Sequence, residues 1–186
     1  MAGRVPAPDV AIVGGGIVGA GTALDSVTRG LSTGLVYPPG AYADTEEVVE
    51  LTRVVGEAGG LYASHIRGEG HSLLRAVAEA IEVGERAGAR VQISHHKAGG
   101  RENWGLVRDS LHLIEAARAR GLDVTADQYP YTAGSTSLHA VVQNGAFGTD
   151  SPGGIGRLAA ADVLIASAPN SAARPPFPAR PSSSER

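Results

Sequence analysis

The strongest constraint in this sequence is a repeat with a period of about 30 residues. Short apolar runs recur four times, at residues 31–37, 61–66, 91–96 and 122–129, and their first residues lie 30, 30 and 31 positions apart. Each run has the length and composition of a β-strand, and segments with the helical spacing of apolar residues follow the first three. A strand and helix unit repeated in this way requires parallel strands joined by helical crossovers.

Three helices are predicted between these strands. Asp44, with Glu47 three residues later, predicts a capping box for the first, Gly88 predicts the end of the second, and Asn103 predicts the cap of the third. The apolar spacing predicts that each helix buries one stripe. The predicted stripes are Val48, Leu51, Val55 and Ala58, then Leu73, Leu74, Val77, Ile81 and Gly84, then Val107, Leu111 and Ile114.

Two architectures satisfy such a repeat, an open doubly wound sheet and an eight-unit barrel. A barrel needs roughly 250 residues, whereas this chain has 186 and shows about four units. We therefore expect an α/β fold, either an open sheet or part of a barrel. Residues 145–156 are predicted to form a Gly-rich loop, and residues 162–166 one more short strand.

The composition excludes several classes of protein. Sixteen Lys plus Arg against nineteen Asp plus Glu give a net charge of −3, which provides no positive field to gather nucleic acid or an anionic membrane. The absence of cysteine excludes disulfide scaffolds, thiolate zinc sites and cysteine nucleophiles. No apolar run approaches the about 20 residues that span a bilayer, and the first residues lack the pattern of a signal peptide. We expect a cytoplasmic protein with no nucleic-acid or membrane partner.

Unusual polar residues stand at the strand ends, where parallel folds of this kind place their functional groups. His65 and His95 are separated by one repeat, at the ends of the second and third predicted strands. Neighbouring parallel strands lie about 4.8 Å apart, so the two imidazoles could share one metal ion. Either histidine alone could be an ordinary hydrogen-bonded residue, but their equivalence in the repeat, with Arg67 and Lys97 beside them, favours a metal or anion site.

Other polar residues in the same region have two interpretations each. Lys97 is either a surface lysine or a ligand for a substrate carboxylate, and Asp127, Tyr129 and Ser135 are either loop residues or part of a binding site. His96 follows His95 directly, so it is expected to point to the other face of the strand and to pack there.

A competing motif is the GxGxxG pattern of Gly14–Gly19, which follows an apolar run at residues 10–13. In a dinucleotide-binding fold it would place a pyrophosphate at a helix N-terminus. However, no acidic residue ends the next predicted strand, and Gly19, Gly21 and Thr22 make a poor helix. Two short strands joined by a glycine turn are the favoured interpretation, and the dinucleotide site is the alternative.

Four stretches of the chain resemble the signature stretches of the N-acyl-D-amino-acid deacylases (D-aminoacylases) of the amidohydrolase superfamily, in the family's order and spacing. They are GLSTGLVYPPG at 30–40, GLYASHIR at 60–67, QISHHK at 92–97 and DVTADQYPYTAGST at 123–136. The likeness extends from about residue 30 to residue 169. Residues 9–18 are similar to the opening strands of the family's small sandwich domain.

This resemblance implies a zinc-dependent hydrolase, built on a TIM-like barrel, that cleaves the amide bond of N-acyl-D-amino acids. It implies that His65 and His95 are zinc ligands and that Lys97, Tyr129 and Ser135 bind the substrate. The catalytic residue is unassigned, because the family's aspartate on the last barrel strand has no counterpart here. The family's His-x-His pair and its metal-bridging ligand are also missing.

We therefore expect an internally deleted and truncated family member with weak or no activity alone. Residues 1–29 would be a β-strand remnant of the N-terminal sandwich, residues 30–169 a partial (β/α) barrel of about four units, and residues 170–186 a disordered tail rich in Pro and Ser. Two alternatives stay open: a non-catalytic half-barrel that self-associates through its unpaired sheet edges, and a dinucleotide-binding protein.

Overall fold

The computed structural model describes residues 30–136, 142–143 and 146–147 of the chain. In the first of these ranges, strands and α-helices alternate. The elements are β1 (Gly30–Gly34), α1 (Thr45–Glu57), β2 (Leu61–His65), α2 (Leu73–Ala87), β3 (Arg90–His96), α3 (Leu106–Ala119) and β4 (Val124–Gln128). Single 3-10 turns at Gly40–Tyr42 and Arg101–Asn103 precede α1 and α3.

The four strands form one parallel sheet in the order β1-β2-β3-β4. Neighbours in the sequence are therefore neighbours in space, and each helix is the crossover between them. The predicted α/β class and the parallel repeat are confirmed. A separate antiparallel pair, β5 (Val142–Gln143) with β6 (Ala146–Phe147), places a two-residue strand inside the predicted loop at 145–156.

The core lies between the sheet and the helices. Along β2 and β3 the side chains alternate between the two faces of the sheet. Tyr62, Ser64, Val91 and Ile93 are buried, and the residues between them are only half-buried. Helix α2 covers the buried face with a stripe that includes Leu73, Ala76, Val77, Ala80 and Val83. The opposite face of the sheet is left more open, and the polar residues of the site lie on that side.

The helix boundaries follow local chemistry. Asp44 caps α1, since its Oδ1 accepts a hydrogen bond of 2.8 Å from the Glu47 N–H. Gly88, at a φ of 66°, ends α2 in the left-handed conformation that glycine adopts without strain. The predicted N-cap at Asp44 and the predicted end of α2 at Gly88 are confirmed.

Three helix predictions are wrong. Asn103 does not cap α3, because it lies in the preceding 3-10 turn and donates its side-chain amide to the Gly99 carbonyl at 2.8 Å. Leu111 is 43% exposed, because α3 instead turns Ser110, Ile114 and Ala117 toward the sheet. Ala58 is exposed at the end of α1, where the helix has already terminated.

The strand register departs from the sequence repeat. Gly30 pairs with Leu61, Leu61 with Arg90, and Val91 with Val124. The paired residues are thus 31, 29 and 33 positions apart, whereas the repeat is nearly constant. A register shift of one residue moves a side chain to the other face of a strand, so the repeat alone does not determine which face His95 occupies.

The expectations for residues 1–29, for Gly14–Gly19, for residues 162–166 and for residues 170–186 lie outside the described residues. Within the described part of the chain, none of the helices has the length and apolar character needed to cross a membrane.

Candidate metal centre

Three potential metal ligands meet at the carboxyl ends of β2 and β3. One ligand atom each from His65, Glu69 and His95 lie within 4.8 Å of one another. The imidazole rings of His65 and His95 have their centroids 4.3 Å apart and meet edge to face. Glu69 lies four residues after the end of β2 and is 4% exposed, so it is a buried carboxylate.

A β-bulge brings His95 to the same face as His65. The register pairs Ala63 with Gln92 and Ser64 with Ile93, so a regular strand would turn His95 away from His65. Instead, the ladder between β3 and β4 shifts between Ile93 and His96, and His95 adopts a φ of 41°. The extra residue re-aims the His95 side chain toward the site, as bulges do next to functional sites.

Asp127 on β4 holds this bulge in place. Its Oδ2 accepts a hydrogen bond of 2.9 Å from the His95 N–H, which the bulge removes from the regular ladder. Its Oδ1 accepts a second bond of 2.7 Å from the Gln92 side chain. Asp127, a binding candidate in the sequence, therefore positions His95 through the backbone.

The next residue, His96, points to the helix side, as predicted. It is buried, and its Nε2 lies 2.8 Å from the Ser110 hydroxyl of α3. Burial, reinforced by the charge of Lys97, lowers the pKa of His96. His96 therefore packs in the core as a neutral, hydrogen-bonded residue.

His65 is prepared to donate a lone pair. Burial, with smaller contributions from His95 and Lys97, lowers its pKa to about 4, so the ring is neutral at neutral pH. Its Nε2 is buried and makes no hydrogen bond to any of the described residues, although it lies 3.4 Å from Glu69 Oε1. A buried polar atom without a partner indicates a missing ligand or a source of strain.

Lys97 lies at the centre of this group. Its Nζ is 2.6 Å from Glu69 Oε1 and 3.1 Å from His95 Nδ1. The ammonium also lies 5.0 Å from the centroid of the Tyr129 ring. A buried carboxylate is thereby neutralised by the cation beside it.

The residues predicted from the sequence to form the site line one cavity of about 320 Å³, namely His65, His95, Lys97, Tyr129 and Ser135. Tyr37 closes one side of this cavity, since its ring contacts His65 edge to face at 5.2 Å and its hydroxyl lies 3.0 Å from Thr136 Oγ1. This hydrogen bond joins the loop after β4 to the loop after β1.

Arg67 is not part of the cavity, which corrects the expectation that it contributes to an anion site. Its guanidinium forms a bidentate pair with Glu79, from Nε to Oε2 and from Nη2 to Oε1, both at 2.9 Å, and donates to the carbonyls of Ala41 and Ala43. All of these partners lie on the helix side or in the loop before α1. Arg67 therefore fastens that loop to α2.

The donor set fits a zinc-type cation. Glu69 Oε1 lies 3.4 Å from His65 Nε2 and 3.3 Å from His95 Nδ1. Two ligands that are both about 2.0–2.2 Å from a tetrahedral zinc ion are about 3.3–3.5 Å apart. Imidazole nitrogen and carboxylate oxygen are ordinary zinc ligands, and three protein ligands are typical of a site that keeps an open position.

Sequence reasoning missed Glu69 as a candidate ligand. It lies in a Gly-rich segment that the repeat does not align with any other strand end, because it comes after β2 rather than within it. In the folded chain this segment lies beside the residues that follow β3, because the Gly99 N–H donates a hydrogen bond of 2.7 Å to the Glu69 carbonyl. An acidic residue four positions after a candidate histidine ligand was the available signal.

Comparisons with known proteins find this chain similar to D-aminoacylase and to deacylases of N-acyl-D-glutamate and N-acyl-D-aspartate. No family model matches. D-aminoacylase of Alcaligenes xylosoxydans is 48% identical over 116 residues, which is 62% of this chain and 24% of that protein. This chain therefore spans about a quarter of the length of the relatives it matches.

Solved structures give the same result. A crystal structure of D-aminoacylase, described as defining a novel subset of amidohydrolases, has a TM-score of 0.58 and 40% identity and matches 65% of this chain and 27% of its own. N-acyl-D-glutamate deacylase from Bordetella bronchiseptica has a TM-score of 0.57 and 36% identity, over 63% of this chain and 26% of its own. That enzyme was solved with zinc and a phosphonate inhibitor that mimics the tetrahedral reaction intermediate.

Proposed function

Because this chain is related over 116 residues to D-aminoacylase, we propose that it carries part of the active site of a zinc-dependent amidohydrolase. The reaction is hydrolysis of the amide bond of an N-acyl-D-amino acid. The four-stranded sheet is then an arc of a TIM-like (β/α) barrel. The observation that carries the proposal is the meeting of His65, Glu69 and His95 in the cavity that Lys97, Tyr129 and Ser135 also line.

Zinc would be held by His65, Glu69 and His95. When bound, it supplies Lewis acidity, because it polarises a carbonyl group and makes water more acidic. His65 contributes a neutral nitrogen that has no hydrogen-bond partner within the described part of the chain. Glu69 contributes the negative charge that the two neutral imidazoles lack.

The substrate would be held by the other side of the cavity. Lys97 is the cation that attracts the carboxylate of the amino acid, and the hydroxyls of Tyr129 and Ser135 are available to orient it. The two carboxylates of this region already have other roles, since Glu69 is one of the proposed metal ligands and Asp127 binds the His95 backbone. We therefore assign no catalytic acid or base to the described residues.

The test is hydrolysis of N-acetyl-D-methionine by the zinc-loaded chain, with N-acetyl-L-methionine as the control substrate. We expect slow turnover of the D enantiomer, abolished in His95→Ala. The matched control is His112→Ala, which removes an exposed histidine of α3 and should change nothing. Turnover that is equal for both enantiomers, or that survives His95→Ala, would contradict the proposal.

A second candidate function is self-association. Strands β1 and β4 are the outer strands of the sheet, and among the described residues each is paired on one side only. Residues 125–128 of β4 are exposed. Next to them, Trp104 and Leu111 line an open groove of about 450 Å³ and are 63% and 43% exposed. Unpaired strand edges beside exposed apolar side chains favour association with another chain.

A further inference from the structure

Lys97 occupies a position that a metal ion at this centre also needs. An ammonium group has only donors, so the 3.1 Å contact between Lys97 Nζ and His95 Nδ1 requires Nδ1 to accept the hydrogen bond. The same ammonium lies 2.6 Å from Glu69 Oε1 and 3.2 Å from the His95 carbonyl. The cation is therefore held by two of the three metal-ligand residues.

The two cations exclude each other at this nitrogen. The ring plane of a neutral imidazole offers one lone pair at the unprotonated nitrogen, which either accepts a hydrogen bond or binds a metal. Nδ1 is the nitrogen of His95 that lies 3.3 Å from Glu69 Oε1, so it is the one placed to share a metal with Glu69. A dication bound there would also repel the ammonium at short range.

We propose that Lys97 is an internal cation that holds the metal-free centre together and is displaced when the metal binds. The released ammonium then becomes available in the cavity to bind the substrate carboxylate. Tyr129, whose ring centroid is 5.0 Å from Nζ, provides a face on which the displaced ammonium can rest. The metal thus binds before the anionic substrate. This inference rests on the proposed function and adds an order of binding to it.

The choice of residue fits this role. Lys97 is the single lysine of the chain, and the other fifteen basic residues are arginine. A guanidinium has a rigid planar fork whose donors point in fixed directions, as in the bidentate pair of Arg67 with Glu79. A lysine carries a compact charge on a flexible four-carbon stem, so it can exchange a carboxylate and an imidazole for a new partner.

The first experiment uses the full chain and measures the reactivity of the Lys97 amine. A short pulse of acetylating reagent is applied with and without ZnCl₂, and acetylation is quantified by mass spectrometry relative to the N-terminal amine. We expect saturating zinc to increase Lys97 acetylation several-fold. His65→Ala, which removes a metal ligand and leaves the pair of Lys97 with Glu69, should abolish this response. Unchanged acetylation in wild-type protein that has bound zinc would overturn the inference.

The second experiment measures zinc affinity by competition with a chromophoric chelator. Lys97→Met, which removes the competing cation, should bind zinc at least about tenfold more tightly than wild type. Arg53→Met, which removes an exposed cation of α1, should bind zinc as wild type does. Equal or weaker zinc binding by Lys97→Met would overturn the inference and leave the metal site intact. No zinc binding by any variant would overturn the metal site as well.

Discussion

At the scale of single residues, the backbone of His95 decides whether the candidate metal ligands lie on the same face of the sheet. The two histidines could be found from the sequence because they recur at strand ends with the period of the fold, and Lys97 because it lies two residues after His95 at the same strand end. The bulge could not be found, because it arises from pairing between β3 and β4 and leaves no local pattern in β3. The 30-residue spacing of the histidines places them on one face only because the bulge compensates the 29-residue register.

Substitution of Asp127 tests whether the bulge at His95 is needed for metal binding. Asp127→Ala removes the acceptor of the His95 N–H, so the bulge should lose its fixed geometry. We expect zinc affinity to fall about tenfold, as when the outer partner of a metal ligand is removed. Calorimetric titration with ZnCl₂ measures the change. Asp109→Ala, at an exposed position of α3, is the control and should bind zinc normally. Unchanged affinity in Asp127→Ala would show that His95 is held by other contacts.

At the scale of elements, the repeat predicts the order of strands and helices but not their rotation. Leu111 fits the apolar stripe of α3 and yet is exposed, because a buried hydrogen bond between His96 and Ser110 orients the helix instead. Similarly, Arg67 follows the strand end like a site residue, but Glu79 on α2 draws it to the helix side. Both differences come from polar contacts between consecutive elements, which join side chains 14 and 12 residues apart.

The packing of α2 on β3 gives a prediction for stability. A Cβ at Gly84 would collide with the Val91 side chain and would lie 3.1 Å from the Ala89 carbonyl oxygen. Gly84→Ala should therefore lower the free energy of unfolding by about 1–3 kcal/mol, although alanine is the better helix former. Urea denaturation measures this change. Gly105→Ala, where a Cβ meets nothing within 4 Å, should alter stability by less than about 1 kcal/mol. Similar effects of the two substitutions would contradict the packing account.

At the scale of the whole molecule, the described sheet ends at two open edges. The chain spans about a quarter of the length of its relatives, and β4 is exposed over most of its length. The four strands and their parallel arrangement could be predicted from the sequence, because the period belongs to the entire βα unit. The sequence did not predict how far the exposed groove beside α3 extends, because that depends on the rotation of the helix.

Self-association should follow from this surface. In sedimentation velocity, we expect the wild-type chain to form dimers or larger species in a concentration-dependent manner. Leu111→Glu adds a charge to the groove and should shift the distribution toward monomer. Val54→Glu, which changes an exposed apolar residue of α1, should leave the distribution unchanged. A wild-type chain that remains monomeric at all concentrations would contradict the prediction.

If His65, Glu69 and His95 form a metal centre, the folded chain retains zinc in a fixed ratio, which its zinc content measures. Purified chain is loaded with ZnCl₂, dialysed and measured by elemental analysis, together with circular dichroism to establish that it is folded. We predict about one zinc per chain in wild type and none in folded His95→Ala. A folded wild-type chain that retains no zinc, or a His95→Ala chain that retains as much as wild type, would contradict the account.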